Sequence, residues 1–293
     1  MTGRLVVRGD IQPDESLAGY VIRLSHANGM NGQGWLLHLA GLTAGFDGRR
    51  SDLNRLASLA AIEVGSLQQA SLAPVATHPR RRSFNGSPIA GAHLATDGAR
   101  TCPACIEQKG YASRLWHLRA YAACHQHGFM LVDHCTQCRR PLSWGRGSLT
   151  ECVCGSAITT RRPAPLQVVR LSELIALAAD GAAPRPFEGS AVAGISAVAW
   201  FFGASPMGNA RERRALFTSR ASSDAASTVL EQGAQFALDW HNSFTSWAMD
   251  HFHRPDARIG LHKVFGPELV RLRATFEDDC PFIIDDLRRF FSE

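Results

Sequence analysis

The chain has 293 residues, 45% of them hydrophobic and 19% charged, and a formal net charge of +5. That length calls for two or three domains, and the composition excludes an intrinsically disordered or collagen-like chain. The amino terminus, Met1 to Asp10, lacks the continuous apolar run of a secretory signal, so the expectation is a cytoplasmic protein that makes no membrane contact.

Ser16 opens the first predicted helix as its N-cap, and Leu17, Val21, Leu24 and Ser25 follow on one face at helical spacing. The string Asn28-Gly29-Met30-Asn31-Gly32 predicts a turn, after which Trp35, Leu36, Leu39 and Leu42 mark a second short helix. A second such pair follows, with Asp52 as cap for Leu53 to Ile62, a turn at Glu63-Val64-Gly65-Ser66, and a short helix from Leu67 to Ala70. This is helix-turn-helix punctuation, equally suited to reading DNA and to packing or dimerisation. Its second helix offers only Gln68 and Gln69 as base-reading groups. From Pro74 to Pro88 the prolines and Arg80, Arg81 and Arg82 interrupt any periodicity, which reads as a linker.

Seven of the eight cysteines lie between Cys102 and Cys154, and only Cys280 lies outside. In a reducing compartment this clustering argues for metal ligation and against a disulfide framework. The ligand pairs are Cys102/Cys105, Cys124/His127, Cys135/Cys138 and Cys152/Cys154. Tetrahedral zinc takes four ligands, so eight make two closed sites with no open position for catalytic water. His117, His125 and His134 are alternatives to His127, whose offset from Cys124 matches the other pairs. Consecutive sites are favoured over a cross-braced arrangement of the same eight residues. Gly128 and Gly155, each directly after a ligand, suit the positive φ of a knuckle turn.

The same stretch carries the charge. Residues 80–162 hold twelve basic and four acidic residues, whereas neither flank is basic. A basic metal module suits phosphate contact, and the candidates are Arg80, Arg81, Arg82, Arg139, Arg140 and Arg146.

A second boundary falls at Arg161-Arg162-Pro163-Ala164-Pro165, beyond which Leu171, Leu174, Ile175 and Leu177 restore helical periodicity. The uncharged stretch from Gly189 to Ala210 reads as a buried helix, because its apolar part is too short for a membrane span. Trp240, Phe244, Trp247 and His251, and then Phe265, Leu269, Leu272 and Phe276, form two packing stripes. The expected architecture is mainly α. It comprises a helix-turn-helix-like region at 1–79, a basic double zinc-finger module at 80–162 and a helical carboxy-terminal domain at 163–293.

Enzymatic readings find little support. The glutamate that a zinc deaminase needs is missing after His93. Asp278, Asp279, Asp285 and Asp286 have no strand scaffold for a two-metal site, and His251, His253 and His262 suit packing or exposure better than ligation. No phosphate-binding loop or nucleophile elbow occurs.

Three stretches together resemble the TniQ family of bacterial transposition proteins. They are Pro13-Asp14-Glu15-Ser16-Leu17 with Arg23 to Gly29; Arg100 to Cys105 with Gly110-Tyr111, Trp116, Cys124 to Gly128, Leu131, Asp133 and Cys135 to Cys138; and Leu142, Trp144 and Cys152 to Gly155. The resemblance implies a helix-turn-helix region, paired zinc fingers and a helical carboxy-terminal region. It further implies a non-enzymatic adaptor that helps select the target site. The implied partners are an AAA+ ATPase regulator, target DNA and, in some systems, an RNA-guided CRISPR complex, with the transposase recruited alongside; a second copy of the chain is the partner that the dimerisation reading of the helix pairs allows. Asp239-Trp240 resembles a family position normally followed by proline, and this chain has His241 there. The competing reading is a zinc-dependent helix-turn-helix transcriptional regulator.

Overall fold

A computed structural model describes residues 5–42, 50–96, 98–188, 191–204, 223–251 and 280–292. The predicted stripe from Phe265 to Phe276, along with His253, His262, Asp278 and Asp279, lies outside them.

Helix α1 (Leu17–Ala27) starts where Ser16 accepts a hydrogen bond from the Gly19 amide at 3.0 Å. Leu17, Tyr20, Val21, Ile22, Leu24 and Ser25 are buried along it. The Asn28-Gly29 turn holds its shape because the Asn28 amide group binds the Val7 backbone in both directions, accepting at 2.9 Å and donating at 2.8 Å. Helix α2 (Gln33–Leu39) departs from expectation, since it buries Leu36 and Leu37 while Trp35 and Leu39 are exposed. At only two turns, it can set one narrow edge against α1. Helices α3 (Arg50–Ala60) and α4 (Val64–Ala70) form the second pair. Asp52 sits inside the first turn of α3 and does not cap it, because the helix already begins at Arg50. Leu53, Leu56, Ala57, Ala60, Leu67 and Ala70 join Tyr20, Val21, Leu24, Leu36 and Leu37 in one core, with the small alanines allowing close approach.

The segment expected to be a linker is a three-stranded antiparallel sheet of β1 (Pro74–Val75), β2 (His78–Phe84) and β3 (Ser87–Ala90), in that order. The missed signal is Asn85-Gly86. Phe84 pairs with Ser87, leaving a two-residue loop whose φ values are 50° and 82°, as a type I′ hairpin turn requires. Proline density misled because Pro79 sits where the pairing slips: Val75 faces His78 but Pro74 faces Arg82, so Pro79 has no ladder partner on β1 to lose. Phe84 and Ile89 are buried, and the Asn85 side chain donates to the Ala179 carbonyl at 2.9 Å, seating the turn on the carboxy-terminal helices.

Helix α6 (Leu166–Ala179) follows directly on Pro163-Ala164-Pro165, as the periodicity predicts, and buries Leu171, Leu174 and Ile175, though Leu177 is exposed. Helix α7 (Ala191–Gly203) is the expected buried apolar helix, and no helix among the described residues is long and apolar enough to cross a membrane. It crosses α8 (Ser223–Leu238) at Gly203 and Gly233. A Cβ at either glycine would collide with the other helix's backbone at Val229 or Ala199, so only glycine permits this crossing. Trp240, Phe244 and Trp247 of α9 (Trp240–His251) are buried as a stripe. Asp286 of α10 (Pro281–Ser292) accepts from the Trp240 indole at 2.7 Å and pairs with Arg289, while Asp285 pairs with Arg288.

Candidate metal centres

The four ligand pairs hang on three short turns and one helix, α5 (Pro103–Lys109). Cys102 occupies the N-cap position and Pro103 the first helical position, where a missing N–H costs nothing. Cys105 then lies one turn on, facing the same way as Cys102. Gly110 ends the helix at φ 74°, in the left-handed conformation that closes such helices. The other three pairs sit on hairpin-like knuckles. In each, the amide directly after the second ligand bends back to the carbonyl of the first: Gly128 to Cys124 at 2.8 Å, Arg139 to Cys135 at 2.9 Å and Gly155 to Cys152 at 2.9 Å. All three residues have positive φ, 67°, 58° and 80°, so Arg139 occupies a position that glycine fills in the other two.

These supports bring the eight residues into two groups, Cys102, Cys105, Cys124 and His127, and Cys135, Cys138, Cys152 and Cys154. In the first, Cys105 Sγ lies 3.4 Å from Cys124 Sγ, and His127 Nδ1 lies 3.3 Å from each of them and 3.7 Å from Cys102 Sγ. In the second, Cys135 and Cys154 are 3.7 Å apart and Cys138 and Cys152 3.8 Å apart. Four ligands around a small cation with sulfur at about 2.3 Å and nitrogen at about 2.0 Å define a tetrahedron with edges of roughly 3.4 to 3.8 Å. The observed separations match those edges. They also exceed by far the roughly 2.05 Å of a disulfide. Within each group the sulfurs share their protons unequally: side-chain hydrogen bonds from Cys102 and Cys105 hold the Cys124 thiol far below its ordinary range while hydrogen bonds to Cys102 and Cys124 push Cys105 well above it, and backbone amides, Cys138 first, pull Cys135 down to about 6 while burial pushes Cys152 up to about 11. Thiolates are the form that ligates metal. His127 turns its other nitrogen to the Gln108 side-chain oxygen at 3.0 Å, an outer partner that fixes the ring with Nδ1 toward the sulfurs.

Other histidines are engaged elsewhere. His117 is buried and stacks on Trp144 with centroids 4.8 Å apart, His125 meets the Tyr121 hydroxyl at 2.7 Å, and His134 pairs with Asp133 at 2.8 Å.

Neither group stands alone. The segment Asp14–Ser16 runs along residues 112–114, with the Ser16 amide donating to the Ala112 carbonyl at 2.8 Å and the Arg114 amide to the Asp14 carbonyl at 2.8 Å. Glu15 is fully buried and holds Arg23 through two contacts of 2.8 and 2.7 Å. Gly19 meets Ala112 so closely that an added Cβ would clash. The amino-terminal motif and the first cysteine region are therefore two sides of one seam. Arg100 closes the back of that region: its buried guanidinium donates to the carbonyls of Trp116, at 2.9 and 2.6 Å, and of Leu118, and burial brings its pKa down to about 10.

The basic candidates divide. Arg80, Arg139 and Arg140 are exposed, and Arg81 and Arg82 are half-buried on β2. Arg146 is a correction: only 1% of it is exposed, its guanidinium lies over Trp144 at 5.5 Å and donates to the Ser148 carbonyl at 3.0 Å, and burial lowers its pKa to about 10. A side chain so placed braces the loop between Leu142 and Cys152 and does not reach a phosphate. The signal that was readable is the flanking Trp144, which needs a partner for its ring face.

The fold and these groups define a mainly helical protein with two four-ligand centres built into its middle. The TniQ family model matches residues 6–131. Over that span, which is less than half of the chain, the sequence is similar to the TniQ family. The match covers the two amino-terminal helix pairs, the hairpin and the whole first ligand group, and stops before Cys135. A comparison with curated proteins gives no match.

Proposed function

We propose that both groups hold structural zinc and that the chain is a non-enzymatic adaptor of transposition, which helps select the target site and recruits an AAA+ ATPase regulator and the transposase. The observation that carries the reading is the closure of both centres. Each has four protein ligands at tetrahedral spacing, which leaves no coordination position for a reacting water. Metal of this kind stiffens a surface that other molecules recognise. The exposed Arg80, Arg139 and Arg140, with Arg81 and Arg82, give that surface its positive charge, suited to the phosphates of target DNA without sequence reading. The seam between Asp14–Ser16 and residues 112–114 joins the helix pairs to the metal region, so that a partner gripping one is positioned against the other.

The test is a reconstituted insertion reaction with an AAA+ ATPase regulator and a transposase of one mobile element. Omitting the protein, or supplying Cys105→Ser, is expected to abolish directed insertion or scatter it, while the transposase keeps its own strand-transfer chemistry. Insertion sites and ATPase loading that are identical without the protein, or DNA cleavage by the protein alone, overturn the reading.

A further inference from the structure

The two centres differ in how water reaches their sulfurs. In the first, all three cysteines are buried and the fourth ligand is an imidazole. In the second, Cys135 and Cys152 are buried, Cys138 is half-buried and Cys154 is exposed on a knuckle whose neighbours Val153 and Gly155 are exposed too. Among the described residues, the small hydrophobic cluster behind it buries Ala99, Cys135, Leu142, Cys152 and Ile158 with Val132 and Trp144 partly buried against them, and its four ligands include no imidazole. Cys154 Sγ lies 3.7 Å from Cys135 Sγ, so a small movement would bring the two into bonding distance.

We infer that Cys154 is an oxidation site, and that Cys154 with Cys135 makes the second centre a thiol switch which releases its metal while the first centre keeps its own. The inference rests on the zinc reading above. The oxidant is a peroxide. The Cys154 thiolate attacks one peroxide oxygen, the O–O bond breaks, and the departing hydroxide takes a proton to become water. This leaves Cys154 as a sulfenic acid. The Cys135 thiolate then attacks the Cys154 sulfur, the S–S bond forms and the S–O bond breaks, and a second proton carries the oxygen away as water. The two thiolates lose two electrons and the peroxide gains them. With two of its four ligands tied to each other, the second centre can no longer close around a cation, and a thiol reductant with added zinc restores it.

The switch has somewhere to act. The loop between the second centre's two knuckles carries Gly145 and Gly147, and these press on the turn between α1 and α2. Gly147 packs on the Asn31 side chain, a Cβ on Gly32 would come within 3.1 Å of the Gly145 carbonyl, and Trp144 of the same loop stacks on His117. Loosening the second centre therefore loosens a wall of the amino-terminal helices.

The experiment uses the full chain purified with its metal, treated with hydrogen peroxide and followed by a metallochromic dye, with non-reducing peptide mapping of the product. Metal content before treatment separates the two readings, because a chain that binds no zinc defeats the zinc reading itself. Given two ions per chain, the expected result is release of one ion and a Cys135–Cys154 disulfide, with Cys102, Cys105 and Cys124 still reduced. In the untreated holoprotein, Cys154 should react with maleimide about tenfold faster than any other ligand. Cys154→His, which keeps a ligand and removes the thiol, should slow peroxide-driven release about tenfold while still holding two ions. Parallel release of both ions, oxidation of the first centre first, or equal maleimide rates at all ligands would overturn the inference, and the rates on the unmodified chain decide it even if the variant fails to fold.

Discussion

The two centres use the same number of ligands at similar separations, yet they sit in different surroundings. The first is walled by Ile106, Trp116, Leu118, Tyr121, Met130 and Leu131, which belong to the same continuous core as α6, α7 and α8, and it touches the amino-terminal helices through residues 112–114. The second closes a peripheral loop over a core of five residues. A metal ion in the first centre thus ties the main core to the amino-terminal helices, whereas one in the second shapes a loop that rests on the α1–α2 turn and on His117 from outside that core. The lesson is that ligand spacing alone does not say what a closed metal site contributes; the contacts of its walls do.

The largest expected effect separates the two directly. Cys105→Ser should remove the first ion and, because metal binding is coupled to folding in such modules, cost several kcal/mol and abolish cooperative unfolding of the whole chain. Cys135→Ser should melt the loop from Cys135 to Ile158 while the main thermal transition survives. Calorimetry with a zinc titration of each variant checks this. If Cys135→Ser removes the main transition as completely as Cys105→Ser does, the two centres are not unequal in the way their walls indicate.

A middle-sized effect comes from acid. His93 and His117 are buried, and burial lowers both from 6.5 to about 4, helped at His93 by Arg119 and Arg81 and at His117 by Arg100. Between those values the unfolded chain binds protons that the folded chain does not. Stability is therefore full above pH 6.5 and falls as the pH drops toward 4, by about 1.4 kcal/mol per pH unit for each histidine. His117→Phe keeps the stack on Trp144 and should remove about half of that slope. The measurement is thermal stability from pH 7 to 4.5 with zinc retention followed in parallel, since acid also competes for the ligands. An unchanged slope in the variant would show that the protons act at the metal ligands and not at the buried histidines.

How much of this was legible in the sequence follows the same division. Short-range signals are legible where one residue type forces one geometry: Ser16 as a cap and glycine at Gly128 and Gly155, with the Cys/His pairs spaced so that the structure gathers them into two consecutive groups. The hairpin at β2 and β3 was legible in Asn85-Gly86, but the surrounding prolines and arginines obscured it. Burial depends on what comes from far along the chain, and there the sequence was silent. Trp35 and Leu39 look like core and face outward, Arg146 looks like a surface cation and is buried, and nothing in Pro13 to Ser16 shows that it meets residues a hundred positions away. Whether either helix pair reads DNA depends on which surface meets a partner, and no local residue pattern encodes that.

The smallest effect tests the knuckles themselves. Gly128, Arg139 and Gly155 occupy equivalent positions, and only Arg139 carries a side chain at positive φ. The left-handed conformation costs an L-residue about 1 to 2 kcal/mol, and glycine relieves that strain while giving back roughly 0.4 to 1 kcal/mol through its freer unfolded chain. Arg139→Gly should therefore stabilise the second centre's loop by about 0.5 kcal/mol, whereas Gly155→Ala should destabilise it by about 1 kcal/mol. Arg139 and its neighbour Arg140 are both exposed, and both belong to the phosphate-contacting surface proposed above. Arg139→Gly should then weaken binding to unrelated duplexes alike and lower the salt dependence by about one phosphate contact, even as the loop becomes more stable. Stability against denaturant and affinity across a salt series, measured on the same preparation, read both sides of that trade. A variant that gains stability with no change in the salt slope would remove Arg139 from the DNA-binding surface, and one that loses stability would show that its side chain supports the knuckle after all.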